Sequence, residues 1–247
     1  MKPRGLKGCA GTLAATALAT IMGLSVPAYG ATLDVTLPAG STENGGKPVA
    51  AQAIITTNNG GTVTVVLKDL LANPTSVAQL ISDVFFTLSG STSGSGSVSP
   101  TATSYINVAD NGTTSAAAAV PAVYAYTDTS NTVHLTGIGS GTTGPCCLII
   151  GPPGAGGVYT NANNSITGND PHNPFLNQTA TFTLALAGVT AATTISNVIF
   201  SFGTAEGNNV AVPIPAAAWL FVSGLLGLIG IARRKHSGVL TASPMAA

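Results

Sequence analysis

The sequence predicts an all-β protein: a single antiparallel β-sandwich, jelly-roll-like in outline, flanked by an apolar N-terminal helix and a C-terminal helix that spans a membrane. Three observations carry this expectation. Short segments alternate apolar and hydroxyl-bearing side chains with period two, clusters of Gly, Asn and Pro punctuate them, and long uncharged apolar runs stand near the two ends.

In residues 32–37, Leu33, Val35 and Leu37 fall on one face and Thr32, Asp34 and Thr36 on the other. Residues 62–67 repeat this with Val63, Val65 and Leu67, and residues 181–186 with Phe182, Leu184 and Leu186. Further strands are expected over residues 49–57, 84–88, 120–127, 132–136, 147–150 and 197–202. Asn58-Asn59-Gly60-Gly61 and Asp110-Asn111-Gly112 are turn sequences, because Gly and Asn tolerate positive φ. One short helix is expected within residues 73–82, where Pro74 suits a first turn. Residues 89–100 (SGSTSGSGSVSP) read as a flexible loop, and residues 137–174 as a long loop suited to specific contacts.

The chain also echoes itself. GTVTVVL at residues 61–67 followed by ISDVFFTLSG at residues 81–90 parallels ATFTLAL at residues 180–186 followed by ISNVIFSFG at residues 195–203. Two copies are too few for a solenoid, so they read as equivalent strand pairs in facing sheets.

Only 6% of the 247 residues are charged, against about a quarter in an ordinary soluble domain, so the surface must be built from Thr, Ser, Asn and Gly. The charges are also segregated. Lys2, Arg4 and Lys7 stand at the front and Arg233, Arg234 and Lys235 at the back. Residues 31–212 hold Lys47 and Lys68 against eight acids, a net charge of −6. Such a body has no means of neutralising a run of phosphates, which excludes nucleic-acid binding.

The two ends read as address labels. Lys2, Arg4 and Lys7, an uncharged stretch over residues 9–26, and small residues at Ala28 and Gly30 form a secretory signal cut between Gly30 and Ala31. Cys9 is not a lipidated cysteine, because its apolar segment follows it. Near the other end, residues 216–232 (AAAWLFVSGLLGLIGIA) carry no charge and just suffice to span a bilayer. Arg233, Arg234 and Lys235 follow directly and form a cytoplasmic membrane stop. Both ends specify one topology, with the body outside.

Val212-Pro213-Ile214-Pro215, the apolar run and the Arg cluster together resemble the PEP-CTERM sorting signal of Gram-negative exported proteins, in a Val-Pro-x-Pro variant form. The resemblance covers residues 212–235. It implies recognition by exosortase, a membrane-embedded transpeptidase-like enzyme that removes the span, and a final place at the cell surface or in the exopolysaccharide matrix of a biofilm. The expected organisation is a signal peptide at 1–30, a sandwich body at 31–211, a sorting signal at 212–235 and a short cytoplasmic tail at 236–247. Export across the inner membrane is then followed by transient anchoring there.

Signatures of catalysis are absent from the sequence: no Asp-x-Asp calcium loop, no His-Glu-x-x-His, no Gly-x-Ser-x-Gly and no phosphate loop. His134 alternates with Val133 and Leu135 and is expected on the solvent face of a strand. Asp170 and His172 lie in an Asx-Pro-rich turn and supply too few strong ligands for a metal. Cys146 and Cys147 are adjacent; a vicinal disulfide, a bridge to a second chain and buried thiols all fit the sequence, with a structural disulfide preferred. Tyr105, Tyr124, Tyr126 and Tyr159 are expected in the core rather than on a sugar platform.

These expectations describe a non-enzymatic exported protein without a cofactor, with exosortase and exopolysaccharide as partners. The alternative is a secreted carbohydrate-binding or carbohydrate-active protein with the same tag, for which Asp83, Asp128 and Asp170 should gather in one cleft beside a tyrosine. A third outcome keeps the span uncut as a permanent anchor.

Overall fold

Alternation along each strand decides what the two sheets bury between them. A computed structural model of the chain describes residues 30–101, 104–121, 123–139, 141–142, 144, 146–167 and 172–212. The signal helix, the apolar span, Pro213, Ile214, Pro215, Arg233, Arg234, Lys235 and Asp170 lie outside these residues.

Fourteen strands are present among the described residues: β1 (Thr32–Thr36), β2 (Ala51–Asn58), β3 (Thr62–Asp69), β4 (Ile81–Leu88), β5 (Gly94–Val98), β6 (Tyr105–Val108), β7 (Thr114–Ala116), β8 (Tyr124–Thr129), β9 (Thr132–Thr136), β10 (Ile149–Ile150), β11 (Phe175–Asn177), β12 (Thr179–Ala185), β13 (Ile195–Phe202) and β14 (Asn209–Ala211). The smaller sheet runs β1-β2-β3-β12. In the larger sheet β4 is central, followed by β9, β8 and β5 along one side, and paired with β13 and then β14 along the other. β10, β11, β6 and β7 extend this sheet from the start of β4, where Ile149 pairs with Ile81.

The two layers face each other over one core. Ala53 and Ile55 of β2, Val63 and Val65 of β3, and Phe182 and Leu184 of β12 pack against Phe86 of β4, Tyr124 of β8, Leu135 of β9 and Phe200 of β13. Tyr124 and Phe182 meet across the gap with ring centroids 4.7 Å apart. Each of the buried Val, Leu, Ile and Phe side chains among these contributes about 1.5–3 kcal/mol of transfer free energy. At one margin the sandwich is stitched shut, because isolated bridges Ser93–Ala187 and Thr101–Thr181 tie the β5 region to β12.

The internal echo has a structural counterpart. β3 and β12 are antiparallel neighbours in the smaller sheet, and β4 and β13 are antiparallel neighbours in the larger. Thr64 pairs with Thr183 and Phe85 with Ile199, which are the same positions of the two sequence copies. Each of β4 and β13 also carries one extra residue near its own start, visible as the two register shifts in their pairing. This is the register that a local two-fold between the units requires.

Four expectations need correction. The sheets are antiparallel in every described pair except β10–β11, which is parallel. The expected helix over residues 73–82 is reduced to a 3₁₀ turn, Val77–Gln79, capped by the Ser76 hydroxyl, because β4 already begins at Ile81. Residues 89–100 contain β5 rather than being loop throughout. Within residues 137–174, β10 and the helical turn Ala162–Ile166 help form a second core of Leu80, Val108, Leu148, Ile150, Tyr159, Ile166 and Phe175. What reads as loop in the sequence is a small lobe packed beside the sandwich.

Candidate functional site

Among the described residues, the outer face of the larger sheet sets polar side chains beside a hollow. Two rows of cross-strand neighbours build it. One runs Ser95–Thr127–His134–Phe85–Ile199–Ala211 across β5, β8, β9, β4, β13 and β14. The next runs Ser97–Ala125–Thr136–Asp83–Ser201–Asn209 across the same strands. Both rows point outward because the intervening residues, Tyr126, Leu135, Val84 and Phe200, fill the core.

His134 lies flat on Phe85, with ring centroids 3.8 Å apart and planes 9° from parallel. Its Nε2 is buried without a hydrogen-bond partner and stands 3.9 Å from Asp83 Oδ2, an ion-pair distance too long for a hydrogen bond. Asp83 is buried beneath it. Its Oδ1 lies 2.6 Å from Thr136 Oγ1 and accepts a long bond from the Gly137 N–H at 3.3 Å. Thr136 is held in turn by the Ile138 N–H, which donates to Oγ1 at 3.1 Å.

Beside this stack is a hollow of about 190 Å³ lined by Ala125, Tyr126, Thr127, His134, Thr136, Ile138 and Glu206. Ile138 also lines a second hollow of about 360 Å³, with Gly139, Gly144, His172 and Thr204. Glu206 is exposed and rests its carboxylate against Gly139, whose φ of +97° leaves the space that a side chain would occupy. The turn bearing Glu206 is fixed from the other layer: the Asn44 N–H donates to Asn208 Oδ1 at 2.8 Å, and Asn44 Nδ2 donates to Gly207 O at 3.2 Å.

The residues singled out in the sequence are distributed as follows. His134 does face outward, but it is half-buried on Phe85 rather than free in solvent. His172 is buried, with Nδ1 3.2 Å from Ile166 O. Among the described residues no three His, Cys, Asp or Glu side chains gather as a metal site. Cys146 and Cys147 are bonded to each other. Tyr124, Tyr126 and Tyr159 are buried and Tyr105 is half-buried. Tyr124 donates to Cys147 O at 2.8 Å; burial, with Asp83 and Tyr105 nearby, pushes its phenol above the ordinary tyrosine range, so it stays a neutral donor.

Asp83 and Asp128 do not converge. Asp128 shares the inner side of β8 with Tyr124 and Tyr126 and accepts from Thr92 Oγ1 at 2.5 Å, whereas Asp83 belongs to the outer face. Sequence reasoning missed Phe85, Thr136 and Glu206. The adjacent pair Phe85-Phe86 held the one available signal, since in a strand two successive aromatics must point to opposite faces. Comparison with protein-family models, curated proteins and solved structures finds no match to this chain.

Proposed function

We propose that the protein is an exported, non-enzymatic component of the cell surface or extracellular matrix, sorted by exosortase through residues 212–235 and associated with exopolysaccharide. One observation carries this reading: the folded body fills the interval between the two sequence signals. β1 begins at Thr32, one residue beyond the expected cut between Gly30 and Ala31, and β14 ends at Ala211, one residue before Val212. The Ala31 N–H donates to Ala191 O at 3.1 Å, a bond that a new amino terminus can retain. The Val212 N–H donates to Val198 O at 3.1 Å, so the body's backbone bonds reach the first residue of the sorting motif.

A hydroxyl-rich, nearly uncharged surface suits a hydrated polysaccharide, because its hydrogen bonds are insensitive to salt. The carbohydrate-active alternative loses support, since two of the three acids it needs lie on opposite faces of one sheet. Intact-mass measurement of the protein recovered from its native cells tests the sorting. The expected species begins at Ala31 and lacks the apolar span. In a variant with Arg233, Arg234 and Lys235 replaced by Gln, unprocessed chain accumulates; normal trimming and retention of that variant would overturn the proposal.

A further inference from the structure

We propose that the hollow walled by His134 binds one uncharged pyranose unit of a polysaccharide, a site that rests on the matrix reading above for its polymer but not for its geometry. The wall is the first argument. Phe85 covers one face of the imidazole, and the other face is turned toward β8, where Ala125 and Thr127 line the hollow. A flat ring held rigidly in this way is complementary to the C–H face of a pyranose, whose weakly positive hydrogens meet the negative face of an aromatic system. Phe85 and His134 come from the adjacent central strands β4 and β9, so the platform is fixed before any ligand arrives.

The polar rim is the second argument. A sugar presents hydroxyls that both donate and accept. The exposed Thr127 hydroxyl can do either, and the Glu206 carboxylate accepts. The second hollow shares Ile138 with this one. At about 190 Å³ the hollow suits a single ring rather than a drug-sized ligand.

Charge narrows the ligand further. Among the described residues no Lys or Arg lines either hollow, and Asp83 and Glu206 are both acidic. Lys68, one of the body's two cations, lies on the smaller sheet, in the row of Gln52 and Thr179. Lys47, the other, stands beside the Glu43 carboxylate, so a uronate or phosphate would meet repulsion with no cation lining the hollow. An imidazole platform is weaker than an indole one, so millimolar single-site binding is expected, strengthened on a polymer by repeated contacts.

Ligand-observed saturation-transfer NMR tests this on the full chain in a sugar-free detergent, with cellohexaose, laminarihexaose and mannohexaose as neutral probes and an oligogalacturonate as the acidic one. At least one neutral hexaose should bind, and the galacturonate should not at low salt. His134→Ala should weaken binding about tenfold or more. His134→Phe, which keeps the flat wall, should stay within about threefold of the parent, as should Thr87→Val on the same face outside the hollow. Failure of all three neutral probes, unchanged binding by His134→Ala, or preference for galacturonate would each overturn the site. Intact mass in native cells reports on sorting separately: a chain that binds a hexaose but is never trimmed removes the sorting proposal alone.

Discussion

Asp69 ends β3 in full burial, and its environment does not suit a charge. Its Oδ1 accepts from the Leu71 N–H at 3.0 Å, while Oδ2 has no partner. Burial, only partly offset by backbone bonds from Leu71 and Gly151, pushes its carboxyl well above the usual range. The unfolded chain ionises Asp69 at an ordinary carboxylate pKa and the folded chain resists. Its stabilising contribution is therefore complete below that ordinary value, and is lost as pH rises toward the raised folded one. Asp69→Asn should flatten this decline and exceed the parent at neutral pH by on the order of 1 kcal/mol, with the two equal in acid. Urea denaturation at several pH values checks it; a variant less stable at neutral pH would contradict the account. Nothing in the sequence marks Asp69 as buried, because the next residue, Leu70, is exposed and the local pattern gives no sign of the lobe that covers it.

At the scale of the element, β5 is the most instructive strand. GSGSV has little intrinsic strand preference and reads as a linker, yet it pairs with β8 over five residues. Its glycines permit the fit. A Cβ on Gly94 would stand 2.6 Å from Ala185 O and 2.8 Å from Leu186 Cδ2, and one on Gly96 would stand 3.1 Å from Tyr126 Oη. Close approach of β5 to β12 is what lets the Ser93–Ala187 bridge close that margin of the sandwich. Gly94→Val should cost about 2 kcal/mol and speed amide exchange at Ser93 and Ala187, whereas Ser95→Val, on the exposed face, should stay within about 0.5 kcal/mol. Equal effects of the two substitutions would refute the close-approach explanation. The alternating strands were legible because their signal is local: Thr62, Thr64 and Val66 outside, Val63, Val65 and Leu67 inside. β5 was not, because its pairing partner β8 and the β12 end it packs against both lie far along the chain, at residues 124–128 and 185–186.

For the whole molecule, the described residues hold two cores and a closed margin. A chain of residues 31–212 should unfold at the same denaturant midpoint as the full-length protein, to within about 1 kcal/mol. Tyrosine fluorescence can follow this, since Trp219 is the only tryptophan and lies outside the body. A clearly lower midpoint would mean that the flanking segments stabilise the fold. The sequence by itself determined the strand-rich class, the turns at Gly60 and Gly112 and the cation-poor body. Each of these is written in neighbouring residues or in composition. Only the tertiary structure decided that His134 lies on Phe85, that Glu206 reaches the same hollow, that the two sequence copies meet at Thr64–Thr183, and that residues 137–174 enclose a second core. Period two tells a side chain which face it takes. Which strand comes to lie beside it, and in what register, is fixed by how the two layers fill the space between them, a property of residues far apart in the chain.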